Sequence, residues 1–182
     1  MLFAAAKSSG ISGTLVVAMI ALVLSASTLT WQIVQFLLGG ARVSAELHFG
    51  AHDGGGVVHG PADKPLQWDR LTGQGYTERL LGVQVRNRGR LAVSVTAWSV
   101  VLDNGAAYSH GDWHINQRYP LPFRLEPGAE AVWFCPLEPV VAMGATFQKS
   151  HRPAGTVQAQ AGLGTGRTVK SRNGLSVGAL GR

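Results

Sequence analysis

The pattern of apolar and polar positions divides the chain into a long uncharged N-terminal stretch and a region of short alternating runs. Residues 8–41 contain no Asp, Glu, Lys, Arg or His. That stretch is longer than the roughly 20 apolar residues that cross the hydrocarbon core of a bilayer. It predicts a short tail over residues 1–10 and a transmembrane helix over residues 11–38, which contacts the lipid bilayer. Gly39 and Gly40 then favour the end of the helix.

A cleaved signal peptide is the alternative interpretation of the same segment. Lys7 would form its positive region, residues 11–24 its apolar region, and residues 25–27 a small-residue cleavage site. The apolar pattern resumes over residues 31–38, and cleavage would leave those residues exposed at the new N-terminus. An uncleaved anchor is therefore favoured.

The orientation of the anchor follows only weakly from charge. One basic residue lies near each end of the predicted helix, Lys7 and Arg42, so the positive-inside rule does not choose between them. Translocation of the C-terminal domain is the commoner outcome for an N-terminal anchor, and we expect the domain outside the cytoplasm. Cys135 is the only cysteine, so no disulfide framework indicates the compartment.

From Arg42 onward, short apolar runs alternate with turn signals, the pattern of an all-β domain. Residues 42–49 place alternate apolar side chains on one face, and residues 81–85 do the same. A turn at residues 87–90 predicts a β-hairpin between that second strand and a strand over residues 91–102.

Within residues 91–102, strict alternation predicts that Val93, Val95 and Ala97 face one side. Trp98 and Val100 are predicted to face the other side. Trp98 and Trp133 are expected to be packing residues, because tryptophans that alternate within strands usually belong to the core.

The remaining elements are predicted from the same signals. They are strands over residues 121–125, 129–135, 156–162 and 167–172, and a short helix over residues 137–149. Together these elements predict an all-β fold, an immunoglobulin-like β-sandwich over residues 42–172 preceded by one transmembrane α-helix. A small β-barrel is the alternative. Residues 173–182 are predicted to form a basic, flexible tail.

One set of motifs resembles a known kind of protein. The run Val85-Arg-Asn-Arg-Gly-Arg-Leu91, the run Leu121-Pro-Phe-Arg-Leu-Glu-Pro-Gly128 and the aromatic strand at Trp133 carry the resemblance. They resemble uncharacterised small single-pass membrane-anchored β-sandwich proteins of actinobacteria and their phages, in which a transmembrane helix precedes an Asn-x-Gly-Arg hairpin and a Leu-x-Pro-Gly turn. The resemblance covers residues 11–172. It implies the architecture and no catalytic residues.

The histidines are the first candidates for chemistry. His110 and His114 have the His-x-x-x-His spacing that places both rings on one face of a helix in zinc proteases. The pair lies in a predicted loop, and no Glu follows His110 to act as a general base. His48, His52 and His59 fall close together around a glycine run. We expect surface histidines and no metal, with His110 and His114 as the pair to test for metal-dependent hydrolysis.

No other motif has the context that catalysis requires. The glycine-rich run over residues 162–167 precedes a predicted strand, whereas a dinucleotide fingerprint requires a helix there. It is predicted to be a glycine hairpin. Cys135 lies in an apolar strand and is expected to pack in the core. We therefore expect a protein that is not an enzyme and uses no cofactor.

The charge of the chain is concentrated at one end. The formal net charge is +6, and residues 139–182 contain six basic residues and no acidic residue. The six are Lys149, Arg152, Arg167, Lys170, Arg172 and Arg182. Such a segment binds anionic lipid headgroups or nucleic acid, or it is a solvated strand edge whose charges prevent edge-to-edge pairing. The solvated edge is favoured, and nucleic acid is disfavoured because no aromatic residues are interleaved to stack on bases.

The predicted loop over residues 108–120 is the candidate contact site for a protein partner, because loops on rigid sandwiches carry recognition. Trp113 and Tyr119 lie in it, and Lys170 and Arg172 are the candidate contacts in the basic segment. The sequence thus predicts a membrane-anchored, non-catalytic binding or assembly module. The alternative is peripheral binding of anionic lipid or nucleic acid through the basic C-terminal segment.

Overall fold

The computed structural model describes residues 13–64, 66–109, 114–148, 155–172 and 174–180. The chain forms two compact units, Met1–Gly40 and Ala41–Arg182. Helix α1, Gly13–Gly39, is the element of the first unit and confirms the predicted N-terminal apolar helix. The predicted tail over residues 1–10 and the first two residues of the predicted span lie outside the described residues.

Helix α1 is long and apolar enough to cross a membrane. Its apolar segment Gly13–Gln35 has 23 residues with a mean hydropathy of 2.0, and none of that segment is buried against other parts of the chain. The hydroxyls of Ser27, Thr28 and Thr30 each donate to the carbonyl four residues earlier at 2.8 Å. These bonds satisfy the hydroxyls within the helix, which is what an apolar surrounding requires.

The second unit is a sandwich of two antiparallel sheets. Its strands are β1 Val43–His52, β2 Val57–Pro61, β3 Glu78–Asn87, β4 Val93–Leu102, β5 Ala107–Tyr108, β6 Phe123–Leu125, β7 Glu130–Pro136, β8 Thr156–Leu163, β9 Thr168–Lys170 and β10 Leu175–Ser176. Short helices connect them, namely α2 Trp68–Gly73, the 3-10 helix η1 His114–Arg118, α3 Leu137–Gln148 and α4 Val177–Leu180. The predicted sandwich preceded by a helix is confirmed, while its immunoglobulin-like topology stays a prediction.

The two sheets enclose one core of apolar side chains. The first sheet has the strand order β2-β1-β3-β7, and the second has the order β10-β8-β4-β5, with β6 paired to β4 and β9 paired to β8. The predicted inward faces of β3 and β7 are confirmed, since Val83, Val85, Ala131 and Trp133 are all fully or almost fully buried.

The predicted hairpin between β3 and β4 is wrong. Strand β3 pairs with β1 and β7, whereas β4 pairs with β5, β6 and β8, so the chain crosses from one sheet to the other. The Asn87 side chain, 0% exposed, holds this crossing. Its Nδ2 donates to the carbonyls of Leu91 at 2.8 Å and Leu125 at 3.2 Å, and its Oδ1 accepts from the Gly89 N–H at 3.0 Å.

The predicted division of β4 into two faces is also wrong. The register of β4 against β8 shifts between Val95 and Ala97, which marks a β-bulge. A bulge adds one residue to one strand and reverses the alternation beyond it. Val93 and Val95 therefore share the core with Trp98 and Val100, and Ala97 is exposed.

The described part of residues 173–182 is not a flexible tail. Strand β10 pairs with β8 through Leu175 and Ser176, and the Val177 N–H donates to the Gly155 carbonyl at 3.1 Å. Val177 and Leu180 are buried in the core. The sequence misses these elements because a two-residue strand followed by one helical turn is too short for a periodic pattern.

We expect Asn87→Ala to lower the free energy of unfolding by about 2–4 kcal/mol, because it leaves two carbonyls and one N–H without their partner. Urea unfolding of the full chain in detergent, followed by tryptophan fluorescence, measures the change. Arg88→Ala is the control, since its ion pair with Glu46 at 3.5 Å is exposed on both sides and contributes little. Equal effects of the two substitutions would contradict this role of Asn87.

Candidate functional site

The outer face of the first sheet carries a row of three rings, which we call the histidine row: His48 of β1, His59 of β2 and Phe134 of β7. The Nδ1 atoms of His48 and His59 are 3.2 Å apart, and their ring centroids are 5.4 Å apart. The centroid of His59 also lies 5.4 Å from that of Phe134. The row thus extends over the sheet from its β2 edge to its β7 edge.

Two glycines make room for the row. Gly50 lies opposite His59 in the β1–β2 register, and Gly82 lies opposite Phe134 in the β3–β7 register. A Cβ atom on Gly82 would lie 2.8 Å from Cε1 of Phe134, and one on Gly50 would lie 3.2 Å from the same atom. The Phe134 ring therefore lies directly on the backbone of β3, which side chains at these positions would prevent.

Burial sets the charge state of the row. His48 is 4% exposed, and burial, followed by the nearby His59, lowers its pKa below the ordinary histidine value, while Glu46, Gln84 and Glu130 act in the opposite direction. Burial likewise lowers the pKa of His59. Both rings are therefore neutral at pH 7, and one ring N–H donates to the other ring nitrogen across the 3.2 Å contact.

A second histidine contact lies at the end of β1. His52 Nδ1 lies 3.2 Å from Glu78 Oε2, and the His52 ring centroid is 5.6 Å from that of His114. His48 and His52 are both buried on a strand, so the expectation of surface loop histidines is wrong for these two. Their strand backbone places both rings on the same face of β1.

The structure brings no metal-binding set together within its described residues, where no group of three or more His, Cys, Asp or Glu is placed to hold an ion. His114 begins η1 and is exposed. His110 lies outside the described residues, so the predicted pairing of His110 with His114 stays a prediction. Cys135 is fully buried, as predicted, and burial raises the pKa of its thiol to about 12.

The described part of the 108–120 loop is fixed to β7. The Asn116 carboxamide donates to the Phe134 carbonyl at 2.9 Å and accepts from the Phe134 N–H at 2.8 Å. The Trp133 indole N–H donates to the Tyr119 carbonyl at 2.7 Å, and the Tyr119 ring packs edge-on against Phe123 and Trp133. Tyr119 therefore has a packing role that the sequence did not predict.

The contact role of this loop stays a prediction. Trp113, the other aromatic candidate in it, lies outside the described residues. Tyr119 is half-buried, so part of its ring remains at the surface.

The basic candidates lie at an edge of the second sheet. Lys170 ends β9, and Arg172 follows two residues later, both exposed. The predicted glycine hairpin before β9 is confirmed, since Gly166 has φ +78° and its N–H donates to the Leu163 carbonyl at 2.9 Å. Lys149, Arg152 and Arg182 lie outside the described residues.

Comparison of the chain with protein-family models and with curated proteins finds no match. No relative therefore assigns a role to the histidine row or to the basic edge. The alternation of apolar and polar residues does not predict β2, the strand that carries His59, so the row does not follow from the sequence. The signal was present at His48 and Gly50, which share a face of β1 by alternation, but a ring on a neighbouring strand leaves no trace in that pattern.

We expect the folded domain to lose stability as the pH falls below about 6.5, the ordinary pKa of histidine in an unfolded chain. The folded-state pKa values of His48 and His59 are lower, so the unfolded chain binds protons first and gains stability relative to the folded state. Urea unfolding at a series of pH values below neutrality measures this. His59→Gln should flatten the profile, because it removes one of the two rings whose pKa is lowered. A wild-type profile that is flat in this range would contradict the lowered pKa values of the pair.

Gly82→Ala should destabilise the domain by about 1–3 kcal/mol, because the added methyl group overlaps the Phe134 ring. The cost should fall when Phe134 is Leu, which a double-mutant cycle of unfolding free energies measures. Gly73→Ala is the matched control, since a Cβ there meets no atom within 4 Å. An equal cost of Gly82→Ala in both backgrounds would show that the ring is not the obstacle.

Proposed function

We propose that the protein is a single-pass membrane protein that displays a β-sandwich outside the cytoplasm as a non-catalytic binding or assembly module. The observation that carries the proposal is the surface of α1. Large apolar side chains are exposed along it from Leu15 to Val34. Transfer of one such side chain from water to hydrocarbon stabilises by about 1.5–3 kcal/mol, so a dozen of them favour the bilayer by on the order of 20 kcal/mol.

The chemistry of the domain supports a binding role. The Cys135 thiol is buried and protonated at neutral pH, which makes it a poor nucleophile. In the histidine row, His48 and Phe134 are buried and His59 contacts both of their rings, as in structural ring clusters. The exposed features in the described residues are instead sheet faces and loops on a rigid core, the usual carriers of recognition. The resemblance to membrane-anchored β-sandwich proteins of actinobacteria and their phages agrees with this proposal.

The anchor is tested by alkaline extraction of membranes. We expect the full chain to remain in the membrane pellet at an intact mass that includes its N-terminus. Leu22→Lys with Val23→Lys should release it, because a lysine near the middle of a span costs about 2.5–3.5 kcal/mol. Leu91→Lys, at an exposed position of the domain, is the control. A soluble product beginning near residue 27 would show that the segment is a cleaved signal peptide.

The orientation is tested by labelling with a membrane-impermeant maleimide. Lys64→Cys places an exposed thiol on the domain, and the buried Cys135 gives little background. We expect labelling in intact spheroplasts for Lys64→Cys and only after permeabilisation for Ala5→Cys, which precedes the helix. The reverse pattern would place the domain in the cytoplasm.

A further inference from the structure

The two sheets of the sandwich differ in charge. The four strands of the first sheet contain three acidic residues, Glu46, Glu78 and Glu130. The six strands of the second sheet contain none. Two cations, Arg124 and Lys170, lie within those six strands, and two others, Arg79 and Arg86, lie within the first sheet. The two sheets therefore differ in their acidic residues: the first has one more acidic than basic residue, whereas the second has basic residues only.

Three cations lie along the β9 edge of the second sheet, and we call Arg167, Lys170 and Arg172 the β9 cations. Val169 packs against the core and Ser171 is buried. Because successive residues of a strand point to opposite sides, Lys170 and Arg172 project away from the core. Arg167 is exposed at the hairpin that leads into β9.

The β9 cations form no ion pair within the described residues, and in this they resemble Arg70 and Arg90 and differ from the arginines beside a glutamate. Arg86 pairs with Glu130 at 3.9 Å, and Arg124 pairs with Glu126 at 2.7 Å. Strands β4, β8 and β9 contain no acidic residue that could pair with the β9 cations. The positive charges of the β9 cations are therefore not neutralised by an ion pair with a neighbouring carboxylate.

The surface beside the β9 cations is polar and uncharged. Gln160 of β8 lies opposite Lys170 of β9, and Ser99 of β4 lies opposite Gln160 on the other side of β8. Other outward residues of these strands include Ser94, Thr96, Gln158 and Thr168, together with the small apolar Ala97. Hydroxyl and amide groups donate to phosphate oxygens, and none of these outward residues is an aromatic ring that would stack on a base.

We propose that this outer face of β4, β8 and β9 is a docking surface for anionic phospholipid headgroups. The proposal deepens the proposed function, since it names the partner of the displayed module. Charge complementarity and the acid-free polar face carry it. Each cation near an anionic bilayer adds about fivefold in affinity, equivalent to about 1 kcal/mol, so the three together supply about a hundredfold.

Vesicle capture tests the surface. The full chain is reconstituted in phosphatidylcholine vesicles, and capture of separate, fluorescent vesicles that contain phosphatidylglycerol is measured by flotation. The test variant is Arg167→Glu, Lys170→Glu and Arg172→Glu together. The matched control is Lys64→Glu, Arg70→Glu and Arg90→Glu, which changes the net charge equally at exposed positions outside the face.

We expect phosphatidylglycerol vesicles to be captured and phosphatidylcholine vesicles not. The test variant should capture at least about a hundredfold fewer vesicles than wild type, and the control should capture within about threefold of wild type. Salt of about 1 M should abolish capture, because it shortens the Debye length to about 3 Å. If the glutamate variant is misfolded, the glutamine triple at the same positions should still lose about a hundredfold. Equal losses in test variant and control would show an effect of net charge alone and overturn the proposal.

Two further outcomes are decisive. Capture by the test variant at the wild-type level overturns the proposal. The proposal is also overturned if duplex DNA displaces the vesicles at a phosphate concentration below that of the phosphatidylglycerol present. That result would assign the surface to nucleic acid. If alkaline extraction shows an unanchored protein, the soluble form is mixed directly with the same vesicles, so failure of the anchor and failure of the surface give different results.

Discussion

The buried carboxamide of Asn87 is the interaction on which the domain depends, because it stands where the chain leaves one sheet and enters the other. All of its hydrogen bonds go to backbone groups, at Gly89, Leu91 and Leu125. A buried polar side chain is stable only when it is fully bonded, and here the bonding fixes the path of the crossing. With that crossing in place, β4 lies over β3 rather than beside it, and the two inward faces enclose the core.

Alternation predicts which way a strand faces, but it does not predict what the strand pairs with. The inward faces of β3 and β7 follow from their sequences because every second residue is apolar. The partner of β3 does not, since the turn after Asn87 has the composition of a hairpin, and only the buried bonds to Leu91 and Leu125 show otherwise. The bulge at Val95–Ala97 is a second limit, because one extra residue reverses the faces of β4 without any change in composition.

The two outer faces of the sandwich differ in how they meet water. On the first sheet, Gly50 and Gly82 let Phe134 lie on the backbone, and Asn116 bonds to both backbone groups of Phe134. Pro136, which has no N–H, ends the same edge strand, so β7 offers little to a further strand. This closed face buries His48 and covers part of the His59 ring. The contacts of the histidine row involve strands β1, β2, β3 and β7. These strands are far apart in the sequence, so no short segment of sequence reveals the contacts.

The outer face of the second sheet is exposed to solvent. The proposed role of the β9 cations there depends on helix α1 of the same chain. Three cations alone give only weak, reversible attachment to a bilayer, because stable attachment requires a second signal beyond a small basic patch. In the function that we propose, α1 crosses the bilayer and supplies that signal, and it raises the effective concentration of headgroups around the domain. A weak surface then suffices to orient a domain that is already anchored. The small number of β9 cations fits the proposal that α1 retains the protein in the membrane while the outer face of β4, β8 and β9 orients the domain.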